Sequence, residues 1–470
     1  MSATGVAVAA GASAQHQHPP PATPPAAAPP PQVPLSPAEP STDVVSLSSR
    51  ARGVVNVQTP DVPHLPWKMD NGVKVFNLIA EPVRTEFLPG RAVDAWGFNG
   101  RMPGPTIEAN EGDRVRIIVD NRLPELFSMH WHGLEIPIEM DGAPGISQEP
   151  IAPGGRFIYE FTLRQNGTFF YHSHMAMQEM MGLIGFFIIH PRQAHLPRVD
   201  RDFGLIFQGW AILPNNTIPN SLAMEFNWLT INGKAGPATT PLLVKLGERV
   251  RVRLVNLGMD HHPIHLHGNT FYVTGTEGGR IVGGGREPGN TVLVGVAQAR
   301  DIEFNAENEG DWMLHCHLPH HMMNQMASMV GPMTMREGAG MRPGAMEPGM
   351  GVAEGHALGA ENGPAFGRTI GVGAEAERPV GHAPMGAASG QQQHAGHGQP
   401  SAPGAQLVPG YPQDMYMVMD DAVKKPETYG LAKGWTGGMM GMMTLVRVMK
   451  PALFDKIAEL QAEQRRRERA

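Results

Sequence analysis

Residues 247–256 read GERVRVRLVN and nearly repeat residues 112–121, which read GDRVRIIVDN. In the second copy, Val250, Val252 and Leu254 alternate with arginines, a period of two that is typical of a half-buried β-strand. Further apolar runs are separated along the chain by Gly, Pro and Asn. Many short strands at regular spacing predict an all-β chain built as sandwiches or barrels.

The repeat extends to four histidine motifs. HWHG at residues 130–133 returns as HLHG at residues 265–268, with the same spacing from the repeated strand. HSH at residues 172–174 returns as HCH at residues 315–317. Two copies of one domain, each with two His-x-His pairs, are the simplest account of this self-similarity.

The His-x-His spacing favours metal binding. Residues i and i+2 of a strand face the same side, so each pair presents two imidazoles to one place. Neutral imidazole suits copper, zinc, iron or nickel, and a thiolate beside imidazoles with a distant Met selects blue copper. An isolated pair is more often incidental, but four pairs at matched positions indicate ligands. Cys316, the single cysteine, is either buried filler or a ligand, and its histidine neighbours favour a ligand.

These motifs, in this order over about residues 67–337, resemble the multicopper oxidase family. The resemblance implies two cupredoxin-like Greek-key domains and a reaction that couples oxidation of a reduced substrate to reduction of O2 to water. It implies four copper ions per active unit. The implied ligands are His262, Cys316, His321 and Met326 for a type 1 copper, His130 and His265 for a type 2 copper, and His132, His172, His174, His267, His315 and His317 for a type 3 pair.

Strand alternation explains how one tripeptide can serve two sites. Cys316 points to one face, while His315 and His317 point to the other. A covalent path of a few bonds therefore joins the type 1 ligand to two cluster ligands. The first copy lacks type 1 ligands, because the equivalent positions hold Phe127, Ser173, Gln178 and Leu183.

Asp141 has two interpretations. It lies where the family places a carboxylate that helps to deliver protons, and it is also an ordinary Asp-Gly turn residue. Some members carry a second carboxylate directly after the second type 1 histidine. Met322 occupies that position here, so the proton route on that side is in doubt.

Composition limits the foldable part of the chain. We divide the chain into a candidate truncated signal peptide (1–14), a Pro/Ala-rich arm and linker (15–66), a first domain with cluster ligands only (67–195), a second domain with type 1 and cluster ligands (200–337), a Met/His/Gly-rich low-complexity insert (338–436), a closing strand of the second domain (437–449) and a solvated terminal helix (450–470). The arm and the insert lack the apolar periodicity of a packed core.

The N-terminus suggests export. Ala12-Ser13-Ala14 matches a signal-peptidase site, but the segment before it is short and lacks a basic leader. The N-terminal segment is either a truncated signal peptide or the start of the low-complexity arm. A signal peptide would predict a periplasmic or secreted protein. A net charge of −7 without a basic stripe argues against nucleic acid as a partner. No apolar run is long enough for a membrane span.

The interval between His174 and His262 is too short for a middle domain. The chain therefore resembles the two-domain members, in which the first domain of one subunit meets the second domain of the next. When unlike surfaces of successive subunits meet head to tail and the last subunit contacts the first, the assembly is a ring. We expect a homotrimer whose trinuclear cluster is split between subunits.

The electron donor is open between Cu(I) and phenols. Thioethers select Cu(I), so the Met/His-rich insert predicts cuprous capture and a role in copper tolerance, although Met is also a common gap filler. A laccase-type phenol oxidase without that role is the alternative. A copper nitrite reductase resembles the chain less, since it has its type 1 site in the first domain and lacks the eight cluster histidines. A copper-storage protein would have no use for a complete type 1 site.

Overall fold

The structure is a computed structural model that describes residues 53–175, 177–212, 216–224, 226–322 and 418–469. Met326, the candidate signal peptide, the arm up to residue 52 and the greater part of the insert lie outside the described residues.

The first half of the chain forms a β-sandwich. A short strand, β1 (Val57–Gln58), comes before it in the chain and pairs with the second half. The strands of the first sandwich are β2 (Trp67–Asp70), β3 (Val73–Leu88), β4 (Arg91–Phe98), β5 (Gly104–Asn110), β6 (Arg114–Asn121), β7 (Met129–His132), β8 (Arg156–Thr162), β9 (Gly167–Ser173) and β10 (Ile184–His190). One sheet has the order β2-β3-β6-β8 with β4 beside β3, and the other has the order β5-β10-β9-β7. Phe76, Ile117, Trp131 and Phe187 are among the fully buried side chains between them.

The second half forms another β-sandwich. Its strands are β11 (Arg201–Trp210), β12 (Trp228–Ile231), β13 (Leu242–Lys245), β14 (Arg249–Asn256), β15 (His262–Leu266), β16 (Phe271–Thr276), β17 (Gly279–Arg280), β18 (Glu287–Gly289), β19 (Thr291–Val294), β20 (Ala299–Asn305), β21 (Gly310–Cys316) and β22 (Met443–Met449). One sheet has the order β1-β11-β14-β20-β16-β17, with β12 beside β11 and β18 beside β16, and the other has the order β13-β22-β21-β15-β19.

Helical structure is sparse among the described residues. The one α-helix there is α1 (Pro451–Arg469), and short 3-10 turns lie at Ile138–Met140, Gly283–Gly285, Pro319–Met322, Pro426–Thr428 and Trp435–Gly438. The predicted fold class is therefore confirmed: the protein consists of two cupredoxin-like β-sandwiches. No described helix has the length and apolarity to cross a membrane.

The repeated sequence has the same place in both sandwiches. GDRVR begins β6, which pairs with β3 in parallel and with β8 antiparallel. GERVR begins β14, which pairs with β11 in parallel and with β20 antiparallel. Val115 and Val250 are both fully buried, because the alternation directs the same positions into each core.

The two sandwiches meet through an apolar layer and a buried ion pair. Side chains of β9 and β10 pack against those of β11, β14 and β20. Arg253 on β14 is 1% exposed and donates two hydrogen bonds of 2.8 Å to the carboxylate of Asp202. It donates a third bond of 2.7 Å to the Thr168 hydroxyl of the first sandwich. This guanidinium therefore ties β9 to the second sandwich.

The fold begins before residue 67, where the sequence placed the end of a linker. β1 pairs in parallel with β11, and Val57, Val62 and Leu65 are buried. The amide of Val57 also donates a hydrogen bond of 3.2 Å to buried Glu108. This segment has too few apolar residues to show the period-two pattern of a strand, yet the few that it has are buried in the fold.

The predicted boundaries at the C-terminal end also change. Residues 418–436, assigned to the low-complexity insert, pack on the second sandwich, and Val423 is buried there. Arg447 of β22 donates to the carbonyls of Glu427 and Tyr429. Helix α1, expected to be solvated, buries Ile457 completely, so its apolar side packs on the sandwich while its basic end stays exposed.

Replacing Arg253 with methionine should destabilise the protein, because it leaves the Asp202 carboxylate buried without its bidentate partner. We expect the free energy of unfolding to fall by about 3–5 kcal/mol, measured by chemical denaturation. The matched control is Arg84→Met, since Arg84 pairs with Asp94 at the surface and should contribute at most about 1 kcal/mol. Equal losses for the two variants would contradict this account of the interface.

Candidate metal centres

Three side chains from separate elements meet in the second sandwich. Cys316 ends β21, His262 begins β15, and His321 lies in the turn Pro319–Met322. His321 Nδ1 lies 3.3 Å and His262 Nδ1 3.7 Å from Cys316 Sγ, and the two Nδ1 atoms are 3.1 Å apart. We call these three residues the cysteine site. The neighbouring His320 is exposed, so it is His321 that the structure brings to the thiol.

The protonation states at the cysteine site suit a cation. Burial, followed by the charge of His321, lowers the pKa of His262 to about 3, so its imidazole is neutral and can donate a lone pair. Burial raises the pKa of the Cys316 thiol to about 12, which a nearby cation would reverse. Two imidazoles and one sulfur, all fully or nearly buried, fit the donor preferences of blue copper.

Four histidines lie together on the outer face of the same sheet. We call them the second histidine set, and they are His265, His267, His315 and His317. His267 Nε2 and His315 Nε2 are 3.0 Å apart. The rings of His265 and His317 have centroids separated by 5.6 Å. Leu314 and Cys316 point into the core between them, as strand alternation requires.

The first sandwich carries a matching group, the first histidine set. Its members are His130, His132, His172 and His174. His132 Nδ1 lies 3.3 Å from His172 Nε2, and the His132 ring stacks on Phe170. Burial, followed by the charges of neighbouring histidines, lowers the pKa of His132 to about 4. Burial also lowers the pKa of His172 to about 4. These imidazoles are therefore neutral and available as ligands.

Backbone carbonyls orient the histidines in the same way in both sets. His172 Nδ1 donates to the carbonyl of Ser173, and His315 Nδ1 donates to the carbonyl of Cys316, both at 2.8 Å. His130 Nδ1 and His265 Nδ1 are bonded to the carbonyls of Asp141 and Asn290, at 2.8 and 2.7 Å. A proton held on Nδ1 leaves the Nε2 lone pair of each ring for a metal.

The first sandwich fills the place of the cysteine site with other side chains. Ser173 Oγ donates a hydrogen bond of 2.7 Å to Gln178 Oε1, and the Gln178 amide donates to the carbonyl of Leu126. Phe127 and Leu183 are fully buried beside them. The polar groups of Ser173 and Gln178 are thus hydrogen-bonded, and none of these four residues offers a thiolate or an imidazole.

Asp141 serves the turn and also faces a histidine. Its carbonyl orients His130, and its carboxylate Oδ1 lies 3.5 Å from His130 Nδ1. Gly142 follows with φ +85, and a Cβ there would come within 1.7 Å of the Met129 carbonyl. The turn therefore packs directly on β7, which holds Asp141 at this distance.

Two carboxylates at these centres were missed by the sequence interpretation. Glu179 Oε2 lies 3.4 Å from His172 Nδ1, and burial raises the pKa of Glu179 to about 7. Asp260 Oδ2 lies 3.4 Å from His321 Nε2, and its hydrogen bond to His321 lowers the pKa of Asp260. Each lies close to a ligand motif in sequence, but only the folded loops bring it to the imidazole.

The two histidine sets have no ring contact with each other among the described residues. Among the described residues, the groups of at least three ligand atoms within 4.8 Å of one another are His130, His132 and His172, and the cysteine site. Ring contacts between two described histidines lie within one set or within the cysteine site, and none joins the two sets. No such contact joins His130 to His265, which the sequence predicts to share one copper.

Comparison with known proteins supports these observations. One multicopper oxidase family model matches residues 80–194, and a second matches residues 213–332. The chain is 41% identical over 124 residues to the copper resistance protein A homolog of Pseudomonas syringae pv. tomato, which is 26% of this chain and 21% of the relative. It is 31% identical over 306 residues to laccase-2 of Botryotinia fuckeliana, which is 60% of this chain and 52% of the relative.

Among solved structures, the blue copper oxidase from Nitrosomonas europaea aligns with a TM-score of 0.50 and 32% identity, over 53% of this chain and 81% of that chain. The chain thus spans about half or less of the curated relatives named above. Since one family model falls on each sandwich and the two together span half of the sequence, the chain belongs to the multicopper oxidase family, whose members are copper-dependent oxidoreductases.

Proposed function

We propose that the protein couples one-electron oxidation of a small reduced substrate to the four-electron reduction of O2 to water. The observation that carries this proposal is the position of Cys316 and His315 on opposite faces of β21. The thiol belongs to the cysteine site in the core, while His315 contacts His267 on the outer face. One strand thus joins a buried entry site to an imidazole set.

We assign the copper ligands of the second sandwich according to the face of β21 on which they lie. We assign a type 1 copper to His262, Cys316 and His321 with Met326 as the axial ligand, a type 2 copper to His130 and His265, and a type 3 pair to His132, His172, His174, His267, His315 and His317. Bound copper would supply the one-electron redox chemistry and the reduction of dioxygen that side chains cannot perform.

The chain's own residues orient the histidine ligands of these centres. The carbonyls of Ser173, Cys316, Asp141 and Asn290 fix the histidine rings before any metal arrives. Such outer partners determine ring orientation and ligand basicity. The Cys316 carbonyl is one of these acceptors, so the residue that supplies the thiol also orients His315.

Asp141 is the proposed proton donor. Its carboxylate is partly exposed and lies 3.5 Å from His130 Nδ1, so it can hold a proton at the edge of the first histidine set. General acid catalysis requires a carboxyl group within reach of the reacting site. The turn that presents Asp141 packs directly on β7, because Gly142 lies against the backbone carbonyl of Met129.

Cu(I) and phenols are the proposed electron donors, and copper tolerance is the proposed role. Similarity to a copper resistance protein A homolog supports Cu(I), and similarity to a laccase supports phenols. Asp260 is 43% exposed at its side chain and touches His321, so it offers a docking carboxylate for a cation or a phenolic hydroxyl. A nitrite reductase or a copper-storage protein would consume no O2.

The decisive test is O2 consumption by the copper-loaded protein, with Cu(I) and a phenol compared side by side. We expect O2 uptake with at least one donor and a blue colour. Cys316→Ser should abolish the colour and lower the rate of O2 uptake by about a thousandfold or more, as expected when one of several residues that act together in a site is removed.

The matched control is Thr444→Ser, another change of a buried residue on the same sheet, which should keep the colour and the rate. An active, blue Cys316→Ser protein would overturn the proposed function. Absence of O2 uptake with both donors would favour copper storage or nitrite reduction.

We also propose that three chains form a ring in which the first histidine set of one chain meets the second set of the next. The absence of ring contacts between the two sets among the described residues of one chain supports this arrangement. Exposed apolar side chains flank both sets, since Leu293 lies on β19 beside β15, Leu318 follows His317, and Leu126 and Met177 lie near the first set. Two unlike patches that meet head to tail close into a ring.

Native mass spectrometry of the copper-loaded protein should therefore give a mass of three chains. Leu293→Lys should shift the protein towards monomers and lower its copper content, because it places a charge in the proposed contact. Leu246→Lys adds the same charge to an exposed leucine on the turn before β14 and should leave the trimer intact. A fully copper-loaded, active monomer would refute the split cluster.

We further propose export to the periplasm or the outside of the cell. The Ala12-Ser13-Ala14 motif supports this location, although it lies outside the described residues.

A further inference from the structure

A group of thioethers covers part of the outer face of β21 and β22. We call it the methionine cluster, and its sulfur-bearing members are Met313, Met322, Met439 and Met443, which pack with Leu431, Leu445 and Trp435. Met439 and Met443 are 2% and 5% exposed, while Met313 and Met322 are partly buried. The returning segment, residues 418–442, forms the outer wall of this cluster.

The strand register places the cluster beside the second histidine set. Met443 is the direct cross-strand partner of His315, and His267 N donates a hydrogen bond of 2.9 Å to the Met313 carbonyl. Direct cross-strand partners share a face, with Cβ atoms roughly 5 Å apart. Thioethers therefore border the same imidazoles that we assign to copper.

The cluster also lies where the Met/His-rich segment joins the fold. Residues 323–417, which include most of that segment, lie outside the described residues; Met322 is the last described residue before them, and residue 418 is the first one after them. Met322 and Met439, on the two sides of the segment, both contribute to the cluster. These thioethers therefore lie where the chain leaves the second sandwich and returns to it.

Thioether chemistry selects the ion. Methionine sulfur is a soft, uncharged ligand that prefers Cu(I) to harder ions. A monovalent ion loses less hydration on burial than a divalent one, and the Trp435 ring can add a cation–π contact. Methionine also fills irregular gaps in ordinary cores, so the experiment must separate binding from packing.

We propose that the methionine cluster is a cuprous-ion site that passes copper to His315 and its neighbours while the centres are assembled. The step is a ligand exchange: bonds from thioether sulfurs to Cu(I) break as bonds from imidazole Nε2 form, and the oxidation state of the ion does not change. His315 is ready for this exchange because its Nδ1 is bonded to the Cys316 carbonyl. The inference rests on the proposed role of the second histidine set in binding copper.

The test uses the full-length, metal-free protein under argon, with Cu(I) as the probe. The double variant Met313→Leu/Met443→Leu removes two thioethers at nearly constant volume, so the fold should persist. The matched control is Met102→Leu/Met180→Leu, which replaces two buried methionines outside the cluster. Methyl-13C methionine spectra report which thioethers bind, and competition with a Cu(I) chelator reports affinity.

We expect the methyl signals of the methionine cluster to shift with the first equivalents of Cu(I). The cluster variant should bind one Cu(I) more weakly by on the order of tenfold or more, whereas the control should match the unmodified protein. The inference is overturned if only methyl signals outside the cluster shift, or if the two double variants bind equally.

This test is independent of the oxidase activity. Unresponsive cluster signals in a protein that consumes O2 would refute the cuprous site alone. A responsive cluster in a protein that consumes no O2 would support the cuprous site and refute the proposed oxidase.

Discussion

The alternation of side chains along β21 is the constraint on which the rest of the structure depends. An extended strand sends successive residues to opposite faces, so Leu314 and Cys316 enter the core while Met313 and His315 face outward. The thiol is thereby enclosed with the imidazoles of His262 and His321, and the outer face gathers histidines and methionines. A shift of one residue in the register of this strand would exchange the two faces, so the core packing that fixes the register also fixes the chemistry.

Duplication explains how one scaffold supports two kinds of site. Both sandwiches orient their histidines through carbonyls at equivalent positions, as the bonds to Ser173 and Cys316 illustrate. They differ at the inner face, where the first sandwich has a hydrogen-bonded Ser173–Gln178 pair and the second has the cysteine site. The duplicated outer faces still carry matching sets, and the absence of ring contacts between these sets among the described residues of one chain is what makes a second subunit part of our proposal.

Period-two patterns and matched motifs were sufficient to predict the two sandwiches and to select the histidines that the structure groups together. They worked because strand alternation is local and each His-x-His pair carries its own geometry. The extent of the folded region was predicted less well, since Val57 and Val423 are buried singly and leave no periodic signal. Glu179 and Asp260 were missed because loop paths bring them to the imidazoles. The methionine cluster depends on cross-strand register, which the sequence does not display.

The central claim, that one strand carries a thiolate site on one face and cluster ligands on the other, is tested most directly by anomalous diffraction at the copper edge from copper-loaded crystals. The account predicts copper on both faces of β21: one ion beside Cys316 with His262 and His321, and further ions beside His315 that also contact the first histidine set of a neighbouring chain. Copper confined to one face of β21, or a cluster completed by histidines of a single chain, would contradict it.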